Sequence, residues 1–496
     1  MNAHESARVI LTKSSPMKLF TIRARLVTHH LPRPGVSGRA FSTAQINFLR
    51  SSELTESNFS SLRAKSSRLW SSIHDTAAYG TGTRYGPDEF STGLSRLALS
   101  NPDKDVRDWF ISTVTSLGCD VEIDKIGNIF ATRRGLNNDV PATFVGSHLD
   151  SQPNGGRFDG VLGVMAGVEM LRVLDENWIE TEGPVGVVNW TNEEGARWKK
   201  SMMGSGVWAG KSGLEEVLAR TDEEGVSVEE ALQGIGYNGE TGVGEQRVKM
   251  AGHIELHIEQ SKVLEREDEK VGIVEGVQGY KWFTVTVNGV EGHAGATGWE
   301  DRSDAMHAAA ELIMGLMRSG QRHGGLVTVG TMNIPGASVN TIPGKVVLTV
   351  DVRHKDQAEL EKLVKVLKDL AGGVAGHGKK RGAGLSIDWK EDFASDVVKF
   401  DKQAMQCVRE GAKNVLGDGK NPRLMTSGAG HDSVYTNFHC PTTMIFVPCR
   451  DGLTHNPKEW CSEEDAKVGT DVLIQSVLRF DQLRQKQGDF DAWMLK

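Results

Sequence analysis

Residues 144–160 combine a histidine, two acids and a glycine-rich turn, a set that could hold a metal ion. His148 and Asp150 are two positions apart, and on a strand such residues point to the same side. The Asp150 carboxylate could therefore orient a metal-bound His148 imidazole. Asp159 follows the turn and could cap the next helix, or its two oxygens could bridge two cations. A His-x-Asp pair alone is more often structural, so the interpretation depends on further ligands.

Two adjacent acids, Glu193 and Glu194, follow the apolar segment over residues 185–190. Adjacent acids are usually solvated, but the apolar strand before them places this pair at the edge of the protein interior. One acid could then bind a metal ion while the other acts as a general base, because the local field separates their pKa values.

The segment 253-HIELHIEQ-260 alternates between polar and apolar residues, as a strand does. His253, Glu255, His257 and Glu259 share one face. Such a face either meets solvent or lines a cleft. From the alternation alone, either histidine could be the ligand.

Three further histidines, His293, His431 and His455, lie in loop-like turns that are mostly rich in glycine. Each alone is typical of a surface histidine. Together with the acids they form a set that suits metal chemistry, because zinc prefers imidazole nitrogen and carboxylate oxygen. Dinuclear hydrolytic sites add a carboxylate that bridges the two ions.

The elements around these residues follow the order strand, loop, helix, strand, which predicts an α/β fold with parallel strands. The strands are predicted near residues 143–146 and over 185–190, with a helix over 161–174 between them. In open α/β sheets, ligands bind beyond the carboxyl ends of strands. The candidate acids and histidines fall at these ends, which favours the functional interpretation.

The composition changes near residues 270–280, where a second domain is predicted. Its elements follow the order βαββαβ of a ferredoxin-like domain. They span residues 280–292, 303–317, 326–334, 345–354, 357–371 and 384–389. We therefore predict a catalytic domain in two parts, 60–277 and 394–496, interrupted by an inserted domain over residues 278–393.

Charge is distributed unevenly along the chain. The net charge is −8, yet residues 1–52 carry +7 and the remainder −15, an acidic body that argues against nucleic acid or an anionic membrane as partner. The sequence contains no run of 18 apolar residues, which is the length that would indicate a membrane-spanning helix. The Arg-rich, acid-poor leader predicts a mitochondrial transit peptide. The alternative is an uncleaved basic tail on a cytoplasmic protein. Five cysteines without a CxxC pair predict free thiols in a reducing compartment.

Six motifs occur in order: "GSHLDS…GGRFDGVLGV", "TNEEGARW", "ELHIEQ", "GHAG", "SGAGHDS" and "HNPKEW". Over residues 65–485 the chain thereby resembles the dinuclear metal-dependent amidohydrolases related to aminoacylases and co-catalytic zinc aminopeptidases. The branch it resembles holds N-carbamoyl-L-amino-acid hydrolases, β-ureidopropionases and allantoate amidohydrolases. The resemblance implies an α/β fold: a zinc-aminopeptidase-like catalytic domain with a mixed, mostly parallel sheet, and an inserted ferredoxin-like lid and dimerisation domain.

The resemblance also implies two divalent metal ions per subunit, with zinc first and manganese, cobalt or nickel as alternatives. The ligands it implies are His148 and His257 on one ion, Glu194 and His455 on the other, and Asp159 between them. In this pattern Glu193 is the general base and Asp150 supports His148. The motif "ELHIEQ" selects His257 over His253.

Five residues match substrate contacts of the family: Gln260, His293, Asn340, Arg353 and His431. Asn340 and Arg353 would hold the substrate carboxylate, a task that suits the two-pronged guanidinium. His293 would reach across the interface of a homodimer and stabilise the developing oxyanion.

The implied activity is hydrolysis of the ureido C–N bond of N-carbamoyl amino acids, of the L-α or β-alanine type, to amino acid, ammonia and carbon dioxide. The alternatives are an allantoate amidohydrolase and a catalytically inactive binding relative. Two segments depart from the family pattern: Ala296-Thr297-Gly298-Trp299 replaces Thr-Thr-Pro-Met, and Ser261-Lys262 replaces Gly-Pro. They leave the implied ligands intact and bear on substrate size and lid closure.

Overall fold

The structure is a computed structural model that describes residues 48–379, 384–417 and 419–488 of the chain. The transit peptide predicted over residues 1–52 lies outside the described residues, except for residues 48–52. No helix among the described residues is long and apolar enough to cross a membrane. All five cysteines are described, buried and free, as predicted.

The described residues form a mixed α/β fold. Its strands are β1 (Leu49–Arg50), β2 (Thr81–Arg84), β3 (Thr92–Leu94), β4 (Asp120–Ile123), β5 (Ile129–Arg133), β6 (Ala142–His148), β7 (Ile179–Glu180), β8 (Val185–Trp190), β9 (Met250–Ile258), β10 (Gly272–Val277), β11 (Gly279–Asn288), β12 (Gly292–His293), β13 (Leu326–Asn333), β14 (Thr341–Ile342), β15 (Lys345–His354), β16 (Ser386–Ser395), β17 (Val398–Lys399), β18 (Arg423–Ser427) and β19 (Thr442–Val447). Its α-helices are α1 (Glu56–Ser61), α2 (Ser66–Thr76), α3 (Asn101–Ser116), α4 (Val161–Glu176), α5 (Met203–Trp208), α6 (Leu214–Leu218), α7 (Val228–Ile235), α8 (Val263–Arg266), α9 (Ala305–Arg322), α10 (Gln357–Lys379), α11 (Lys402–Leu416), α12 (Ser433–Thr436) and α13 (Glu463–Lys486).

The larger sheet has the strand order β17-β10-β19-β9-β6-β8-β5-β4, with β18 also paired to β10. Its four central strands, β19, β9, β6 and β8, run parallel, while β5, β4 and β17 pair antiparallel at the two sides. The predicted α/β fold with a central parallel sheet is therefore confirmed.

Helix α4 follows β6 and packs against the central strands. Helix α13 also packs against two of these strands, β9 and β19, and α2 contacts both helices. Its residues are buried almost all the way round, which explains why its sequence is apolar rather than striped. Strand β8 is likewise buried throughout and reads as a continuous apolar run, as expected of a parallel strand covered on both faces. The carboxyl ends of β6, β8 and β9 therefore meet at one edge of a rigid, covered sheet.

The smaller sheet is antiparallel, with the strand order β13-β15-β11-β16. Helices α9 and α10 cover one of its faces and enclose a hydrophobic core separate from that of the larger sheet. The chain enters this unit after β10 and leaves it into β17, and these two strands pair side by side. The predicted βαββαβ order is present. On this basis we propose the division into a catalytic domain and an inserted domain at residues 278–393.

Candidate active site

Three side chains from three neighbouring segments converge at the carboxyl edge of the central strands. His148 ends β6, His257 lies next to the last residue of β9, and Asp159 precedes α4. Asp159 Oδ1 lies 3.1 Å from His257 Nε2 and 3.9 Å from His148 Nε2. All three side chains are buried. Their donor atoms lie close enough together to hold one metal ion.

A second group uses the other oxygen of the same carboxylate. Asp159 Oδ2 lies 3.6 Å from His455 Nε2, and that nitrogen lies 3.3 Å from Glu194 Oε2. Asp159, Glu194 and His455 could hold a metal ion together. Because each oxygen of Asp159 faces a different donor group, the carboxylate is placed where a bridge between two cations would lie.

The electrostatics of the cluster follow from this proximity. Burial disfavours charge on His257, but the hydrogen bond to Asp159 and its negative charge outweigh burial and raise the pKa of His257 to about 9. The neighbouring Glu194 carboxylate raises the pKa of His455 to about 9. Burial acts to raise the pKa of Asp159, yet the surrounding histidines hold it well below its usual range. Imidazoles and carboxylates that converge in this way form a donor set that fits divalent cations.

Backbone carbonyls orient the two buried imidazoles. His148 Nδ1 lies 3.0 Å from the Asp150 carbonyl, and His257 Nδ1 lies 2.9 Å from the Ile258 carbonyl. A carbonyl can only accept, so each Nδ1 carries a proton and Nε2 is the nitrogen that faces Asp159. When the ring is neutral, as a metal ligand must be, the lone pair is therefore on Nε2.

The Asp150 carboxylate holds the neighbouring loop rather than the imidazole. Its oxygens accept hydrogen bonds from the backbone N–H groups of Glu193 and Glu194, at 3.3 Å each. Its nearer oxygen is 3.8 Å from His148 Nδ1. The support predicted for His148 thus comes through the Asp150 carbonyl, while the carboxylate fixes the candidate base and ligand.

The predicted general base, Glu193, lies beside the first donor group, with Oε2 3.6 Å from His148 Nε2. Its side chain is almost fully buried. Burial raises the pKa of Glu193 well above its usual value, and the negative charges of Asp432 and Glu194 raise it further. A carboxylate with a raised pKa is a stronger proton acceptor, which is what a general base requires.

The polar face of β9 is entirely buried, so the alternative of a solvent face is wrong for His253, Glu255, His257 and Glu259. Among these residues, His257 reaches Asp159, whereas His253 Nδ1 lies 3.3 Å from the Ser433 hydroxyl. The geometry therefore separates two histidines that the alternation left equivalent.

A third grouping within the described residues, Glu255, His257 and His431, shares His257 with the first group. The Glu255 carboxylate already accepts hydrogen bonds from the hydroxyls of Ser147 and Ser433, at 2.6 Å each. Ser427 Oγ lies 2.9 Å from His431 Nε2. Burial and the charge of His257 lower the pKa of His431 to about 3, so this ring is neutral.

Two glycines, Gly156 in the turn and Gly160 directly after Asp159, allow the close approach of the site's side chains. The N-cap residue of α4 is Gly160 rather than Asp159, and Gly160 has φ +69°. A Cβ atom there would lie 2.3–2.4 Å from the His148 ring. A Cβ on Gly156 would lie 2.3 Å from the Glu459 side chain. Both glycines are therefore required for close approach.

Glu459 and Thr454 belong to the site but escaped the sequence reasoning. Glu459 is buried and accepts hydrogen bonds from the backbone N–H groups of Phe158 and Asp159, at 3.0 Å each. Thr454 Oγ1 donates to Asp159 Oδ2 at 2.7 Å and lies 3.1 Å from Glu459 Oε2. Burial, followed by the charge of Asp159, raises the pKa of Glu459 to about 8. The signal available in the sequence was the Glu of "HNPKEW", four residues after His455.

A cavity of about 200 Å³ opens above these residues. The predicted site residues that line it are Asp159, Glu193, Glu194, His257, Gln260, Arg353, His431 and His455. Gln260 Nε2 donates to Asp159 Oδ2 at 2.9 Å. Arg353 lies across the cavity, where Asp351 holds its guanidinium at 2.7–3.0 Å and Nη1 donates to the Gly428 carbonyl at 2.8 Å. A preorganised guanidinium thus faces the donor groups.

His293 and Asn340 are not among the residues that line this cavity. They lie on the inserted domain, where β12 pairs with β14, and the Ala294 N–H donates to the Asn340 carbonyl at 2.9 Å. Both side chains are exposed. Arg353 is therefore separated from the Asn340 with which it was predicted to act, while His293 and Asn340 form one surface.

The two departures from the family pattern have different surroundings. The Ser261 hydroxyl donates to Glu259, whose carboxylate accepts the Val263 and Leu264 N–H groups at 2.8 Å each and so caps α8. Trp299 is 71% exposed, and the Arg302 guanidinium carbon lies 4.5 Å from its ring centre. The first change is thus part of a local cap, and nothing in the structure explains the second.

Comparison with known proteins places this geometry in a family. The chain is 38% identical to an N-carbamoyl-L-amino-acid amidohydrolase from Rhizobium meliloti over 84% of this chain and 96% of that protein. It is 30% identical to an allantoate amidohydrolase from Bacillus subtilis over 77% of this chain and 91% of that protein. A crystal structure of an amidase of the hydantoinase/carbamoylase family from Burkholderia multivorans matches with a TM-score of 0.77, 40% identity, and coverage of 84% of this chain and 98% of that one.

The family model for peptidase family M20/M25/M40, a metal-dependent family, matches residues 144–479. This range begins in the strand that carries His148 and ends in α13, so it includes both donor groups and the inserted domain. The agreement extends from the motifs to the fold, and the chain belongs to peptidase family M20/M25/M40.

Proposed function

We propose that this protein is an amidohydrolase that cleaves the ureido C–N bond of N-carbamoyl amino acids with two divalent cations. The observation that carries the proposal is the position of Asp159, whose two oxygens face two separate donor groups beside Glu193. Relatives at 33–38% identity are named N-carbamoyl-L-amino-acid amidohydrolases, which supports the substrate class.

In the proposed site, His148 and His257 would hold one cation, Glu194 and His455 would hold the other, and Asp159 would contribute one carboxylate oxygen to each. The ligand types suit zinc first, and manganese, cobalt or nickel as alternatives. Such cations lower the pKa of water and polarise a carbonyl group. The choice of ions rests on donor chemistry alone.

The side chains of the chain itself would move protons and orient the substrate. Glu193 accepts a proton from the attacking water and returns it to the leaving nitrogen, for which its raised pKa suits it. Arg353 binds the carboxylate of the substrate across the cavity. Gln260 and the neutral His431 line the same cavity and would contact the ureido group.

Ammonia release from a substrate panel tests this function. We expect the purified protein, loaded separately with each of the four metals, to hydrolyse N-carbamoyl-L-amino acids faster than allantoate, because relatives named for that substrate class are 35–38% identical and the one named for allantoate is 30% identical. Metal analysis of the active form should give two ions per subunit. Turnover of allantoate only would replace this proposal with the allantoate amidohydrolase that another relative represents. A protein that turns over no substrate with any metal would be the inactive binding relative.

We also propose that the active unit is a homodimer. His293 and Asn340 are exposed together on the inserted domain and do not line the cavity of their own chain. A second copy could present this surface to the cavity, where Asn340 would join Arg353 at the carboxylate and His293 would stabilise the oxyanion.

Hybrid dimers test the contribution in trans. We expect Glu193→Gln and His293→Ala homodimers to be nearly inactive. A hybrid of the two, co-expressed with different tags and purified through both, should recover about half of the wild-type activity, because a twofold dimer then contains one intact site. The matched control pairs Glu193→Gln with His257→Ala, which leaves both sites defective. An inactive first hybrid would show that His293 acts within its own chain.

A further inference from the structure

The inserted sheet has one covered face and one open face. Phe283, Val285 and Val287 of β11 point towards α9 and α10 and are buried. The alternate residues Tyr280 and Trp282 point to the opposite face, which those helices leave uncovered. Trp282 is 42% exposed there, an unusual position for a large aromatic side chain.

Three aromatic rings form one cluster on this open face. Trp282 is the direct cross-strand partner of Phe393, which is 38% exposed. The ring centres of Tyr280, Trp282 and Phe393 are 5.4–5.6 Å apart, and Tyr280 stacks on Phe393 at 27°. The rings therefore form a preformed apolar platform, because aromatic contacts at these separations are favourable.

The platform adjoins the candidate active site. Tyr280 and Trp282 line the 200 Å³ cavity that contains the metal-donor groups. The Arg353 guanidinium carbon lies 4.9 Å from the Tyr280 ring centre. Trp282 also lines a second cavity of about 370 Å³, with Thr328, Thr349 and Asp351 on its other sides. Trp282 thus lines both the catalytic cavity and a second, larger cavity.

We propose that Tyr280, Trp282 and Phe393 form the subsite for the substrate side chain, so that the enzyme prefers ureido acids with aromatic or bulky apolar side chains. This inference rests on the proposed function. In an α-amino acid the carboxylate and the side chain leave the same carbon atom. A carboxylate bound to Arg353 would therefore bring the side chain close to Tyr280, the ring that contacts that guanidinium and packs against Trp282 and Phe393. N-carbamoyl-β-alanine has no side chain to place there.

Steady-state kinetics with three substrates test the subsite. We expect kcat/KM for N-carbamoyl-L-phenylalanine to exceed that for N-carbamoyl-L-alanine and N-carbamoyl-β-alanine by at least about tenfold, because a buried aromatic contact is lost with the smaller substrates. Trp282→Ala should lower kcat/KM for the phenylalanine substrate about tenfold and leave the alanine substrate within about twofold. Phe393→Ala should give the same pattern and remains informative if Trp282→Ala fails to fold.

The matched control is Trp178→Ala, which removes another exposed tryptophan, 46% exposed, at the far end of α4. Trp178→Ala should leave kcat/KM unchanged for all three substrates. Equal kcat/KM for the phenylalanine and alanine substrates in the wild type, or equal losses for both in the folded variants, would overturn the subsite. Absence of turnover on every ureido acid would instead contradict the proposed function, so the two failures are distinguishable.

Discussion

The Glu193→Gln variant should hydrolyse N-carbamoyl amino acids about 10²- to 10⁴-fold more slowly than the wild type, with the loss in kcat, because an amide cannot accept the proton. The variant should bind its metals as before, since Glu193 belongs to neither donor group. It should also unfold at no lower temperature. Burial raises the pKa of this carboxyl, so its ionised form opposes folding at neutral pH, and the neutral amide removes that cost.

Single-turnover rates, metal content and thermal unfolding measured on the same preparation check this expectation. The control is Glu267→Gln, an exposed glutamate outside the cavity, which should leave the turnover rate, the metal content and the unfolding temperature unchanged. Undiminished hydrolysis by Glu193→Gln would show that another group is the base. A loss of metal together with activity would show that Glu193 is a ligand.

Gly160→Ala should abolish metal binding at the first donor group although no ligand is replaced. The new Cβ would lie 2.3–2.4 Å from three atoms of the His148 ring, so the imidazole must move away from Asp159. A misplacement of about 1 Å in an active site can cost about a hundredfold in rate. We therefore expect a loss of activity at least this large, a lower metal content, and an unchanged far-ultraviolet circular dichroism spectrum.

The matched control for this variant is Gly210→Ala. Gly210 has φ +67°, close to the +69° of Gly160, but nothing lies within 4 Å of the position that a Cβ atom would take there. It should cost about 1–2 kcal/mol of stability through backbone strain and leave metal binding and activity intact. If both variants lost activity equally, backbone strain rather than contact with His148 would be the cause.

Local patterns in the sequence predicted the strands and the helix around the site and the residue types that converge there. A continuous apolar run predicted the buried strand β8, and alternation predicted β9, because a strand repeats every two residues. The acids and histidines follow these strands, so a parallel sheet brings them to one edge. The motifs added the choice of His257 over His253, which alternation could not make.

Which atoms meet was decided only by the tertiary structure. Asp159 and His257 are 98 positions apart, and Asp159 and Glu459 are 300 apart. The allocation of the two Asp159 oxygens, the role of the Asp150 carboxylate and the contribution of Glu459 depend on how these distant segments pack. Sequence periodicity reports the face on which a residue lies, but it does not report the element that faces it. For the same reason periodicity does not report the surface formed by His293 and Asn340 or the aromatic platform beside Arg353. Both depend on which strands of the inserted domain pair, β12 with β14 and β11 with β15 and β16.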